Sequence, residues 1–144
     1  MALFNCIGRP EVLIIFFSKN FNFKLKFLEK NIIKTSGRPI QLKRAIQNII
    51  DNSLRYSDEL YIEILSNDDG CILIIEDNGP GIPDQNYEDV FKPFFSLDPS
   101  RNKLKGESGL GLSITRDIIR SHGGDIKLSK SNYGGLKSQI ELPT

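Results

Sequence analysis

The sequence predicts a layered α+β domain, and three observations predict it. Two stretches carry the helical apolar period, at residues 40–56 and 110–121. Several shorter stretches alternate or run apolar as strands do. Helical and strand-like stretches also come in mixed order, which suits helices packed on a sheet.

Taken in order, the apolar run at residues 12–17 has no clean period. Phe23, Leu25 and Phe27 alternate with Asn22, Lys24 and Lys26, the pattern of a half-buried strand. Residues 31–35 read as a short second strand. Ser36-Gly37-Arg38-Pro39 is a turn, with Pro39 where a helix can begin. From Ile40 to Tyr56, Leu42, Ala45, Ile46, Ile49 and Ile50 share one face, and Gln41, Arg44, Asn48, Asn52 and Arg55 the other. Residues 61–65 and 71–76 read as strands joined by the turn Asn67-Asp68-Asp69-Gly70. The second is apolar on both faces, so it belongs inside a sheet. Residues 77–105 are polar and rich in turn formers, apart from a short helical piece near residues 86–91. A stretch of that kind in a compact domain is usually functional or mobile. Leu110, Ile114 and Ile118 keep register through the second helix, with Gly123 as its C-terminal cap. Residues 126–129 and 136–142 form a hairpin through Tyr133-Gly134-Gly135.

The chain has 144 residues, the size of one domain. With 19 basic and 18 acidic side chains its net charge is +1, so a nucleic-acid partner is not expected. Cys6 and Cys71 stand far apart and in no C-x-x-C pairing, which argues against a disulfide framework or a zinc site and fits a reducing cytoplasm. The run at residues 12–17 is far short of the about 20 residues a membrane span needs. It also fits a secretory signal poorly, because Glu11 precedes it and no clear cleavage site follows.

Three groups of residues point to chemistry. Asn48, Asn52 and Arg55 fall at i, i+4 and i+7, in one narrow arc of a helix. Two amide oxygens and a guanidinium on one stripe suit a magnesium–phosphate group; a solvated polar face explains the same stripe. Asp77 continues the inward alternation of Leu73 and Ile75, and an inward carboxylate needs a donor partner. An adenine amino group is such a donor, and Gly79 and Gly81 allow the backbone to approach a flat ligand. An ordinary Asp-Gly turn is the alternative. Finally, Gly106-Glu107-Ser108-Gly109-Leu110-Gly111-Leu112 opens the second long helix, where free N–H groups suit phosphate. A flexible loop would look the same. The phosphate-loop, dinucleotide and eukaryotic-type kinase motifs are absent, and the single histidine argues against a serine or cysteine triad.

Together these residues resemble the ordered boxes of the GHKL ATPases, the family of gyrase, a heat-shock chaperone, a mismatch-repair ATPase and histidine kinases. Asn48-Ile49-Ile50-Asp51-Asn52-Ser53-Leu54-Arg55-Tyr56 resembles the N box, and Asp77-Asn78-Gly79-Pro80-Gly81-Ile82 the first glycine box. Phe91-Lys92-Pro93-Phe94-Phe95 is similar to the F box, and Gly109-Leu110-Gly111-Leu112 to the second glycine box. Asp98-Pro99-Ser100-Arg101 resembles a lid segment of many histidine kinases.

The resemblance covers residues 22–144 and leaves 1–21 unassigned. It implies an α/β sandwich of the Bergerat type: a mixed sheet of about five strands with helices on one face. It further implies ATP and Mg²⁺ as cofactors. Asn52 would ligate the metal, with Asn48 near the phosphates and Arg55 on phosphate. Tyr56 would lie beside the adenine, and Asp77 would accept a hydrogen bond from the adenine amino group. Gly79, Gly81 and Ile82 would shape the base pocket, and Gly109, Leu110, Gly111 and Leu112 would line the phosphate end. Residues 84–108 would form a lid, with Arg101 or Lys105 reaching the γ-phosphate. Phe91 and Phe94 would anchor its base, or be ordinary core aromatics.

Relatives that hydrolyse ATP or phosphorylate serine carry Glu where this chain has Asn48. Water and serine benefit from a base, whereas a neutral imidazole attacks through its lone pair. Asn48 therefore favours phosphoryl transfer to histidine, on a dimerisation domain, with a response regulator downstream. Two departures stand out. Glu107 replaces the first glycine of the second box, and no hairpin bearing a phosphoacceptor histidine is recognisable. His122 reads as favouring a helix C-terminus electrostatically. A cytoplasmic monomer is expected, at the cytoplasmic face of the membrane if the chain is part of a larger sensor. The other readings are a stand-alone ATP-responsive regulatory module and a non-functional remnant of a split kinase gene.

Overall fold

The computed structural model describes residues 22–27, 38–67, 69–97 and 109–143. The strand expected at 31–35, the turn at 36–37, residues 1–21 and the lid residues 98–108 lie outside them. Five strands form one mixed sheet in the order β1-β2-β3-β5-β4, where β1 is Asn22–Phe27, β2 Glu59–Asn67, β3 Gly70–Asp77, β4 Asp125–Lys130 and β5 Leu136–Pro143. β1 runs parallel to β2, and every other pair is antiparallel. The strand with apolar residues on both faces, β3, is the central one, as expected of a strand covered on both sides.

Two helices, α1 (Pro39–Tyr56) and α2 (Gly111–Ser121), cover one face. Leu42, Ala45, Ile46, Ile49 and Ile50 of α1 share one core with Leu60, Ile62 and Ile64 of β2, Leu73 and Ile75 of β3, Ile126 of β4 and Ile140 and Leu142 of β5. Each fully buried isoleucine contributes about 1.5–3 kcal/mol relative to an exposed one. Pro39 at the start of α1 fills a position whose N–H has no helical partner. α2 closes in a glycine turn: the Gly123 N–H donates to the Arg120 carbonyl and the Gly124 N–H to that of Ile119, with Gly123 at φ +77°.

The register expected for α2 needs correction. Leu110, Ile114 and Ile118 are only half-buried, and the buried positions are Ser113, Thr115 and Ile119. α2 turns a polar residue, Thr115, to the interior because that edge meets α1. The helical piece near residues 86–91 is two 3-10 turns, Asp84–Asn86 and Asp89–Phe91.

Candidate functional site

The last residue of β3 anchors one end of the site. Asp77 is inward and 4% exposed, as its alternation with Leu73 and Ile75 predicts. Its Oδ1 accepts from the Gly79 N–H at 3.0 Å and the Leu136 N–H at 3.0 Å. The Asp77 carbonyl accepts from the Gly135 N–H at 3.1 Å. Oδ2 takes part in none of these bonds, so the carboxylate is fixed through one oxygen while the other keeps its lone pairs.

Close backbone approach explains the glycines here. A Cβ on Gly79 would stand 2.7 Å from the Tyr56 carbonyl oxygen, so this turn lies directly against the C-terminus of α1. A Cβ on Gly135 would stand 2.0 Å from Asp77 Oδ1. Gly81 and Ile82 follow, both half-buried, and Tyr56, the last residue of α1, is 41% exposed. Asn78 pins the turn to β2, its Oδ1 accepting from the N–H groups of Asp58 and Glu59 at 3.1 and 3.0 Å.

The other end lies between the helices. Asn48 and Asn52 are half-buried and Arg55 is exposed. The stripe is thus not an open solvated face at Asn48. Its Nδ2 donates to the Gly111 carbonyl at 3.5 Å and to Thr115 Oγ1 at 3.4 Å, both long and weak. Thr115 in turn reaches the Ala45 carbonyl at 3.5 Å and is fully buried. A carbonyl can only accept, so the Asn48 amide nitrogen faces α2 and its oxygen faces away. Gly109 and Leu110 lead into α2 at Gly111, followed by Leu112. Leu110 makes no side-chain cap, so the first N–H groups of α2 have no capping partner from it. Among the described residues, a Cβ on Gly111 would meet nothing within 4 Å. An N-terminal turn of this kind favours phosphate. The donor set suits magnesium as well, since that ion takes few protein oxygens and fills its shell with water and phosphate.

The two F-box aromatics part company. Phe91 is buried in the core cluster, whereas Phe94 is 75% exposed, with its N–H donating to the Gly109 carbonyl at 3.0 Å. Arg101 and Lys105, like Glu107, lie outside the described residues.

His122 needs correction. Its Nδ1 lies 2.7 Å from the Ile118 carbonyl, and its Nε2 accepts the Arg38 N–H at 2.8 Å. Accepting through Nε2 requires the neutral ring, so His122 ties the start of α1 to the end of α2 by hydrogen bonds rather than by charge.

Sequence reasoning missed Asn78, Thr115, Gly135 and Leu136. Nothing local marked Thr115, a polar residue between Ile114 and Arg116 whose partner Asn48 lies 67 residues away. Gly135 was read only as part of a hairpin turn.

A carboxylate at a strand end, polar amides on one helix and a glycine-led helix start, on a mixed sheet, are the elements that the resemblance to the GHKL ATPases leads one to expect. The comparisons agree. Residues 37–144 match the family described as histidine kinase-, DNA gyrase B- and HSP90-like ATPases, and the chain belongs to that family. It is 38% identical over 108 residues to the sensor histidine kinase GtrS of Pseudomonas aeruginosa, a match covering 74% of this chain and 22% of that protein. It is 37% identical over 108 residues to the sensor histidine kinase CpxA of Escherichia coli, covering 74% and 24%. The chain therefore spans about a quarter of the length of these relatives. Among solved structures, the catalytic domain of histidine kinase ThkA superposes with a TM-score of 0.80 at 25% identity, covering 98% of this chain and 94% of that one. The mycobacterial sensor histidine kinase MprB gives 0.74 at 28% identity, covering 92% and 87%.

Proposed function

We propose that this domain binds Mg-ATP and passes its γ-phosphoryl group to a histidine on a sensor-kinase dimerisation domain. The observation that carries the reading is Asp77, held through Oδ1 with Oδ2 left to accept an adenine amino group. The base would lie by Gly79, Gly81, Ile82 and Tyr56. From Tyr56 back to Asn48 is eight residues of α1, about 12 Å of helix, a span that suits a bound nucleoside triphosphate. The phosphates would then reach Asn48, Asn52, Arg55 and the start of α2 from Gly109 to Leu112. Asn52 would offer the magnesium its amide oxygen. Bound magnesium would supply charge neutralisation on the phosphates; the chain's own residues orient the nucleotide.

Asn48 carries an amide, which cannot take a proton from an attacking water or serine. A neutral imidazole needs no such base, so the residue supports transfer to histidine. His122 is a poor acceptor, because both ring nitrogens are engaged within the fold. The acceptor would come from a dimerisation domain in trans or in a longer protein, with a response regulator downstream. The same reading treats residues 22–144 as the catalytic domain, monomeric and cytoplasmic, with Arg101 or Lys105 contributing to the γ-phosphate. Among the described residues no helix is long and apolar enough to cross a membrane.

The test is incubation with γ-labelled ATP and a separately purified dimerisation domain from a sensor kinase. Acid-labile, base-stable label on that domain supports the reading. Label released only as free phosphate would replace it with an ATPase.

A further inference from the structure

Arg116 makes more connections than a surface arginine needs. Its side chain is 13% exposed. Nη1 and Nη2 donate to the two oxygens of Glu88 at 2.6 and 3.4 Å, and Nε donates to Asp125 Oδ1 at 3.3 Å. The guanidinium lies 4.4 Å from the centre of the Phe91 ring. Arg120 also pairs with Asp125, at 3.1 Å, so Asp125 keeps a partner without Arg116, whereas Glu88 gains its fork from Arg116.

These contacts join three elements. Arg116 is on α2, five residues past the helix start at Gly111. Asp125 begins β4. Glu88 and Phe91 belong to residues 83–97, the strap that leads out of the Asp77–Ile82 turn. Farther along the strap, the Phe94 N–H meets the Gly109 carbonyl beside the start of α2. The strap therefore spans from the base turn to the phosphate end. Among the described residues its other ion pair, Lys92 with Asp89, stays within the strap. A planar two-pronged donor over an aromatic face fixes orientation as well as distance, which a lysine cannot do.

We propose that Arg116 is a positioning residue for nucleotide binding, clamping the strap to α2 so that the base turn and the helix start keep the separation a nucleoside triphosphate requires. The proposal rests on the Mg-ATP reading above. It separates two parts of binding: the base turn is built by Asp77, Asn78 and Gly79 against β2, β5 and the end of α1, while its spacing to α2 depends on the clamp. Losing Arg116 thus weakens ligands that span both ends and spares ligands that occupy only one.

The experiment compares the whole chain with Arg116→Met, Arg116→Lys and Glu88→Gln, titrated with Mg-ATP and, by NMR, with adenosine. All measurements are made well below each variant's unfolding midpoint. Arg116→Met is expected to weaken Mg-ATP about five- to tenfold and Glu88→Gln about two- to fivefold, in the range of a partly exposed charged pair. Adenosine affinity stays within about twofold, and Arg116→Lys recovers part of the loss. Glu88 has a side chain 76% exposed, so Glu88→Gln keeps the test sound where Arg116→Met unfolds the chain. Unchanged Mg-ATP binding in Glu88→Gln and Arg116→Met overturns the proposal, and so does an equal loss of Mg-ATP and adenosine, which would mean general damage. A folded wild-type chain that binds no Mg-ATP refutes the underlying reading and this proposal with it.

Discussion

Replacing Gly135 by alanine adds one methyl group at the point where β5 begins to hold Asp77. That carbon would stand 2.0 Å from Asp77 Oδ1, 2.6 Å from the Asp77 carbonyl oxygen and 2.6 Å from the Gly79 nitrogen. Two of these three atoms are backbone, and β3 is paired on both sides, so neither can step aside cheaply. Either the β4–β5 hairpin shifts, breaking the Gly135 and Leu136 N–H bonds to Asp77, or the Asp77 side chain leaves its place. Overpacking of this kind costs about 1–3 kcal/mol. The lost Leu136 bond to the Asp77 carboxylate adds about 1.5–3 kcal/mol, and the lost Gly135 bond to the neutral Asp77 carbonyl about 0.5–1.5 kcal/mol. Partial relaxation brings the expected total to about 3–5 kcal/mol, a large part of a typical domain's stability of about 5–15 kcal/mol. At about 3–4 °C per kcal/mol for this size, the unfolding midpoint falls by about 10–20 °C. Circular dichroism reads the midpoint, and calorimetry well below it reads nucleotide affinity, which should fall at least about tenfold as Oδ2 moves. Gly134→Ala is the control. Gly134 has a φ of +101° but, among the described residues, nothing within 4 Å of an added Cβ, so it costs backbone strain of about 1–2 kcal/mol and leaves Asp77 in place. If Gly135→Ala matches wild type in midpoint and affinity, the clamp on Asp77 does not exist as described.

Two further outcomes follow from named contacts. His122→Ala removes the acceptor of the Arg38 N–H and the bond to the Ile118 carbonyl, and should cost about 1–3 kcal/mol in urea unfolding without changing nucleotide affinity. The Arg116 side chain holds Glu88 below its ordinary value of 4.5. Burial pushes Asp125 up, but bonds from Arg120, the Ile126 N–H and Arg116 outweigh it and leave it below 3.8. Carboxylates depressed by folding stabilise the fold fully above those ordinary values, and that stability is lost as pH falls through the lower folded values. Urea unfolding between pH 6 and pH 3 should therefore show stability dropping at the acid end, less steeply in Arg116→Met; equal slopes would contradict the ion pairs.

How much of this was legible in the sequence depended on the range of the interaction. Local periodicity carried the apolar face of α1, the central place of β3 and the inward turn of Asp77, because each is set by neighbours within a few residues. The glycine at the end of α2 was legible for the same reason. What the sequence hid comes from distant contacts. Asn48 meets Thr115 across 67 residues, and Leu136 reaches back 59 residues to Asp77. The face of α2 was misread because its interior edge packs on α1 through polar Thr115, which an apolar-period search passes over. His122 was assigned a charge role because its partner, the Arg38 N–H, lies 84 residues away.

The central claim is that Asp77 reads the adenine through Oδ2, and calorimetric titration of wild type and Asp77→Asn with Mg-ATP tests it most directly. The asparagine keeps an oxygen for the Gly79 and Leu136 N–H groups and puts an NH2 donor where Oδ2 stood, so the fold is retained while the ligand contact becomes donor against donor. The account predicts magnesium-dependent binding by wild type and none by Asp77→Asn at an unchanged unfolding midpoint. Equal binding by the two, or none by folded wild type, would contradict it.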